Sequence, residues 1–193
     1  MKILHISDTH NKHHEISTMP EADVLVHTGD LSEYGTEEEV LSALEWLISL
    51  PYRHKVFVAG NHDICLYDAE NIEGLPDNVH FLHNGGVVIN DVFFYGITFT
   101  NPYVEYERPI DVLLSHEPPL SILDYEDGRH WGTSQTLSIV NATHPKLHLF
   151  GHVHDSYGSM QWRTTTFSNA SLMNHNNLLQ NSPRLMVLNI EAS

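Results

Sequence analysis

Short apolar runs that each end in an acidic, amide or imidazole side chain constrain this chain more than any other feature. Lys2 to Ser7 runs into Asp8-Thr9-His10, and Ala22 to His27 runs into Gly29-Asp30. Lys55 to Ala59 leads to Gly60-Asn61-His62-Asp63. Further on, Asp111 to Ser115 ends at His116, and Leu147 to Phe150 leads to Gly151-His152-Val153-His154. Runs this short and continuously apolar predict strands buried on both faces. In layered α/β domains, ligands bind beyond the carboxyl ends of such strands. These polar groups are therefore expected at one edge of the molecule. In an extended segment, side chains two apart point the same way, so His152 and His154 could converge on one point.

The elements between the runs fit that picture. Thr36 and Glu39 form a T-x-x-E capping box, and Val40, Leu41, Leu44, Leu47 and Ile48 follow helical spacing up to Pro51. Strand, strand, helix, strand in this order predicts an α/β fold with a covered sheet. From Val79 onward strands dominate. Val87 to Ile89 and Val92 to Tyr95 flank Asn90-Asp91, a tight hairpin turn. Thr164 to Phe167 and Leu185 to Ile190 are further strands, and a shorter helix covers Ser134 to Val140. Tyr103 to Pro109 and Glu117 to Thr133 read as long loops, where function often sits. With no repeat, low-complexity tract or linker, one domain over residues 1–193 is expected.

Composition narrows the partners. The formal charge is -16, from 25 acidic against 9 basic side chains, which disfavours a long nucleic acid. The single cysteine, Cys65, excludes an internal disulfide and fits a reducing compartment. No window is apolar for long enough to span a membrane. The start of the chain lacks a signal peptide's apolar region, so a soluble cytoplasmic protein is the expectation.

The polar residues share a chemistry. Carboxylate, imidazole and amide oxygen suit borderline divalent ions such as manganese, iron or zinc. The lack of Cys pairs argues against a structural zinc site. Asp8, His10, Asp30, Asn61, His116, His152 and His154 exceed the needs of one ion and suffice for two if Asp30 bridges. Two ions about 3.5–4 Å apart are the usual device for clamping a phosphoryl group. His62 is then surplus as a ligand and suits proton transfer near neutral pH.

In order and spacing these motifs resemble the calcineurin-like metallophosphoesterases, whose pattern is D-x-H, G-D-x-x-[DE], G-N-H-[DE], a lone His, then G-H-x-H. Gly29-Asp30-Leu31-Ser32-Glu33 supplies the second element, and every element is present between residues 8 and 154. GRHWGTSQTL and HLFGHVHDSYG are closer to the small metallophosphoesterase-domain proteins, a branch similar to class III cyclic-nucleotide phosphodiesterases. The chain departs from that branch at Glu117, where glycine is more frequent, and at Asp63, where glutamate is.

The resemblance implies a four-layer α-β-β-α sandwich of two mixed sheets flanked by helices. It implies that Asp8, His10, Asp30 and His154 hold one divalent ion, and Asp30, Asn61, His116 and His152 a second. Manganese, iron, zinc, cobalt and nickel are the candidate metals. It also implies hydrolysis of a phosphodiester, a small or cyclic nucleotide among the candidates, by a hydroxide bridging the ions. His62 would protonate the leaving oxygen, with Glu33 as its acidic partner. The alternatives are a phosphomonoesterase, a nuclease, or a catalytically silent metal-binding scaffold. Asn61, His13, Arg129 and His130 are candidate substrate contacts, with a solvated loop as the competing reading of His13 and its neighbour His14. His5, His27 and His148 lie within strands and read as core or edge residues, and Cys65 reads as a packed small side chain.

Overall fold

The structure, a computed structural model, describes residues 1–105 and 108–189. Its first sheet has the order β13-β1-β2-β3-β4, formed by β1 (Lys2–Ile6), β2 (Val24–His27), β3 (His54–Phe57), β4 (Val79–Phe81) and β13 (Arg184–Val187). β1 to β4 are parallel, and β13 closes the edge antiparallel to β1. The second sheet has the order β11-β12-β10-β7-β6-β5. Its strands are β5 (Gly85–Ile89), β6 (Val92–Gly96), β7 (Val112–Leu114), β10 (Leu147–Phe150), β11 (Gly158–Trp162) and β12 (Thr165–Asn169). β6, β7, β10 and β12 are parallel, with an antiparallel strand at each edge. A small hairpin of β8 (Tyr125–Glu126) and β9 (Arg129–His130) stands apart from both sheets.

Alternation along each strand builds the layers. Ile3, Val24, Val26 and Val56 face Phe94, Val112, Leu114, Leu147 and Leu149 of the other sheet in one core. The intervening Leu4, Ile6, Leu25 and Phe57 turn outward onto Val40, Leu44 and Leu47 of α1 (Glu37–Ser49). On the far side, Tyr95, Leu113, Phe150 and Phe167 pack with Val140 of α2 (Ser134–Thr143). The result is the four-layer α-β-β-α sandwich that the motifs implied. The central strands β1, β2, β3, β7 and β10 are buried on both faces because both are covered, hence their continuous apolar runs. Among the described residues, no helix is long and apolar enough to cross a membrane.

Several local expectations hold in detail and others do not. Asn90 and Asp91 both take positive φ, 48° and 65°, the backbone of a type I′ hairpin turn. Thr36 Oγ1 accepts from the Glu39 N–H at 3.2 Å, but the Glu39 carboxylate accepts from the Tyr34 N–H rather than closing back on Thr36. Leu41 and Ile48 of α1 are exposed, and Ala43 takes a place in the core. β4 and β11 were not marked out as strands, and the expected loop 117–133 contains the β8–β9 hairpin. Residues 106 and 107 of the other expected loop, and Ile190 of the last expected strand, lie outside the described residues.

The strand histidines are core residues. His5 bridges the sheets, its ring nitrogens 3.0 Å from Ser168 Oγ and 3.0 Å from Thr28 Oγ1. His27 meets Thr9 Oγ1 at 3.0 Å and His148 meets Ser115 Oγ at 2.8 Å. Cys65, by contrast, is exposed rather than packed.

Candidate metal centre

The carboxyl ends of β1, β2, β3, β7 and β10 come together where the two sheets meet. The chain turns sharply at each end. Asp8, His10, Asp30 and His152 all have φ between 41° and 70°. Left-handed backbone at side chains with a Cβ is costly and concentrates at functional sites. The turns are held by hydrogen bonds between neighbouring strand ends: Asp8 N–H to Gly29 O at 3.0 Å, His10 N–H to Asp30 O at 3.0 Å, and Gly151 N–H to His116 O at 3.1 Å. The bend at His152 replaces the extended segment expected there, so His152 and His154 do not converge on one point.

Instead they divide between two groups of ligand atoms, each group within 4.8 Å of itself: Asp8, His10 and His154, and Asp30, His116 and His152. Asp30 also groups with His10 and His62. Its Oδ2 lies 3.6 Å from His10 Nε2 and 3.3 Å from His116 Nε2. Asn61 Oδ1 accepts from His116 Nε2 at 2.8 Å and from His152 Nδ1 at 2.9 Å. His154 Nε2 is 3.5 Å from Asp8 Oδ1. The seven residues picked out along the chain are thus brought together.

Backbone carbonyls aim the rings. His116 Nδ1 donates to Thr28 O at 2.9 Å, turning Nε2 inward, and His154 Nδ1 faces Asn174 O at 3.2 Å. Fixing one ring nitrogen so that the other faces a metal is how outer partners orient histidine ligands. His62 is aimed in the same way, with Nδ1 donating to the Glu33 carbonyl at 2.7 Å. This corrects one expectation: it is the main chain of Glu33 that orients His62, while its carboxylate lies 3.5 Å from His10 Nδ1.

The charges fit divalent cations. Burial alone would push the His116 pKa down, but the adjacent Asp30 carboxylate outweighs it and raises it to about 10. Burial likewise opposes charge on Asp8, yet hydrogen bonding and Coulomb attraction from His154 hold its carboxyl below the usual range. The same partnership raises His154. Each group therefore pairs a carboxylate with an imidazole whose charged form it favours. His152 is lowered to about 4 by burial and the His116 charge, and His10 is lowered mainly by burial. Both ring nitrogens of His10 are buried without a hydrogen-bond partner among the described residues. The lone pair that the neutral ring leaves unused beside the Asp30 carboxylate is what a cation would satisfy.

Asp63, read only as a milder change from glutamate, proves to be a fastener. Its buried carboxylate accepts from Gly60 N at 2.8 Å, Ser32 N at 3.0 Å and Ser32 Oγ at 2.8 Å, tying the loop after β3 to the loop after β2. Burial, with help from Asp30, raises its pKa to about 6. The Tyr67 hydroxyl donates to the Asn61 carbonyl, securing the same loop.

A cavity of about 270 Å³ opens over the centre. Besides ligands, Glu33, His62, Glu126, Asp127, His175 and Asn177 line it. The last four carried no signal of their own beyond the turn residues Asp127-Gly128. The expected substrate contacts at His13, Arg129 and His130 do not line it. His13 is buried beneath α1 against Trp46, with ring centroids 5.2 Å apart, because a 3₁₀ turn at 13–15 folds it inward. The Arg129 guanidinium stacks 3.4 Å from the Trp131 ring, and His130 Nδ1 meets Asp124 Oδ1 at 2.7 Å. Glu117 is half-buried outside the cavity, and burial raises its pKa.

Residues 1–156 match the sequence model of the family described as calcineurin-like phosphoesterase. Human metallophosphoesterase domain-containing protein 1 is 32% identical over 92% of this chain and 68% of its own length. A 3',5'-cyclic-nucleotide phosphodiesterase of Nostoc is 30% identical over 72% of this chain and 58% of its own length. The solved structure of TT1561 from Thermus thermophilus superposes with a TM-score of 0.63 over 87% of this chain and 88% of that one. At 14% identity this last likeness speaks to the fold alone.

Proposed function

This chain belongs to the calcineurin-like phosphoesterase family, and from that premise we propose that it hydrolyses a phosphodiester at a centre of two divalent cations. The observation that carries the reading is the placement of Asp30 within reach of His10 on one side and His116 on the other. Asp8, His10, Asp30 and His154 would hold one ion, and Asp30, Asn61, His116 and His152 the other. The donor set suits manganese, iron, zinc, cobalt or nickel. When bound, such ions supply Lewis acidity toward phosphoryl oxygens and make water easier to deprotonate.

The protein's own groups do the rest. Thr28 O and Asn174 O hold His116 and His154 in the ring orientation that ligation needs. His62, its Nδ1 engaged by Glu33 O, presents Nε2 to the cavity. As a water oxygen forms the new bond to phosphorus and releases a proton to solvent, the bond to the alcohol oxygen breaks. His62, when protonated on both nitrogens with Nδ1–H on Glu33 O, hands that oxygen its Nε2 proton. Positioned general acids are typically worth about 10² to 10⁴ in rate.

The diester is preferred because the Nostoc relative is named a cyclic-nucleotide phosphodiesterase, and a cyclic nucleotide is a small diester. A long nucleic acid is disfavoured by the charge of -16, and the lone Cys65 suits a cytoplasmic setting. The test is turnover of bis(4-nitrophenyl) phosphate by protein loaded with manganese, against metal-free protein and Asp30→Asn. Metal-dependent turnover that the variant lacks is expected. Bound metal without turnover would favour the silent scaffold and end this reading. Faster turnover of 4-nitrophenyl phosphate would move it to a monoesterase.

A further inference from the structure

We infer that the β8–β9 hairpin selects substrates by charge, using Glu126 and Asp127 to turn away esters with more negative charge than a simple phosphodiester. This rests on the reading of the site as a phosphodiesterase and narrows its substrate class. The hairpin is small but firmly placed. Tyr125 N–H donates to Ser156 Oγ at 2.9 Å, and that hydroxyl donates back to Tyr125 O at 2.8 Å. Glu126 Oε1 accepts from the N–H of Asp155 at 3.2 Å, which seats its carboxylate beside the ligand His154. Asp127 and Gly128, at φ 51° and 81°, make the turn that carries the Asp127 side chain to the cavity wall.

The hairpin sorts its own charges. Glu126 and Arg129 are cross-strand partners, yet only Glu126 lines the cavity. Arg129 lies over the Trp131 ring instead. Glu33 adds a further carboxylate to the wall. The Lys12 ammonium donates at 2.5 Å to the carbonyl of Asn177, a lining residue, without itself lining the cavity. Among the described residues, no lysine or arginine lines the cavity. Sites that favour dianionic phosphate usually present arginine to it. Here a second negative charge on the ester, or an anionic group on its alcohol, would face the carboxylates of Glu33, Glu126 and Asp127 in the same cavity. A monoanionic diester avoids that repulsion, and an ammonium on the alcohol side would gain from it.

The experiment compares wild type with the double variant Glu126→Gln, Asp127→Asn, which keeps an oxygen for the Asp155 N–H. Three probes release the same 4-nitrophenolate above neutral pH: 4-nitrophenyl phosphate, bis(4-nitrophenyl) phosphate and 4-nitrophenyl phosphorylcholine. Relative to the bis ester, the variant should raise kcat/KM for the dianionic monoester and lower it for the zwitterionic ester. Each change should be roughly 3- to 10-fold at low salt and shrink as salt screens it. Calorimetric binding of methylphosphonate and dimethyl phosphate to metal-loaded protein gives a readout without cleavage. The variant should gain affinity for the dianion only. Equal changes for all probes, or none, in rate and in binding would overturn the inference. Absent cleavage with the binding contrast intact would remove the phosphodiesterase reading and leave charge selection standing.

Discussion

The N–H of His152 donates to both carboxylate oxygens of Asp8, at 3.1 Å each, across 144 positions of sequence. The bond fastens the end of β1 in one sheet to the end of β10 in the other. Asp8 is therefore both a candidate ligand and a pin between the sheets, and those roles can be separated by substitution.

Asp8→Asn keeps an oxygen for the His152 N–H but loses the charge that pairs with His154. Metal content should fall, and turnover should drop by more than about 100-fold, because even outer partners of ligands are worth 10- to 100-fold. Asp8→Ala should lose the same activity and, in addition, more thermal stability than Asp8→Asn. Elemental analysis, turnover and melting temperature together check this. Equal melting temperatures for the two variants would argue against the pinning role.

His62 lies close enough to His10 and Asp30 to be read as a ligand, with ring centroids of His10 and His62 4.6 Å apart. If it is the proton donor, His62→Asn should keep its metal while kcat for an alkyl diester falls by about 10² to 10⁴. Loss should be far smaller for a 4-nitrophenyl ester, whose leaving group departs without a proton. A variant that loses metal, or that slows both esters equally, would make His62 a ligand instead.

Gly151 marks where backbone must pass close to a carboxylate. A Cβ there would sit 2.1 Å from Asp8 Oδ2 and 2.1 Å from Ser7 Oγ. Gly151→Ala should cost about 1–3 kcal/mol, as overpacking does, and should weaken metal binding by displacing Asp8. Gly128→Ala is the contrast: nothing lies within 4 Å of its Cβ position, and only the φ of 81° resists substitution. That strain is worth about 1–2 kcal/mol, and metal content should be unchanged. Denaturant unfolding and metal analysis on both variants decide the matter.

The site was legible because its ligands stand at the ends of strands buried on both faces, which leave continuous apolar runs in the sequence. The β8–β9 hairpin was not, because arms of two residues are too short to show alternation. Within the expected loop, the dipeptide Asp127-Gly128 is a turn signal. His175 reaches the cavity from beyond β12, and no local pattern could say so. In α1, helical spacing grouped Leu41 and Ile48 with the core-facing residues. Spacing names a face, whereas packing sets its width, and here Ala43 is buried while Leu41 is exposed.

The buried strand histidines should add to the loss of stability in acid. His148 is fully buried beside Phe150 and Phe167, and burial lowers its pKa from 6.5 to about 3. His27 falls to about 3 for the same first reason, and His5 is also lowered. In the unfolded chain each takes up a proton near its ordinary pKa, whereas in the folded protein each stays neutral until far lower pH. The unfolded state therefore binds more protons between 6.5 and about 3, and stability must fall as pH drops through that window. Above it, these groups exert no pull. Each contributes a slope of about 1.4 kcal/mol per pH unit. His148→Leu removes one such group and leaves Ser115 Oγ its bond to Glu117 O at 2.7 Å. Urea unfolding of metal-free protein across the window should show wild type losing stability more steeply than His148→Leu by about that one-proton slope. Parallel curves for the two proteins would mean that His148 is protonated in the folded state.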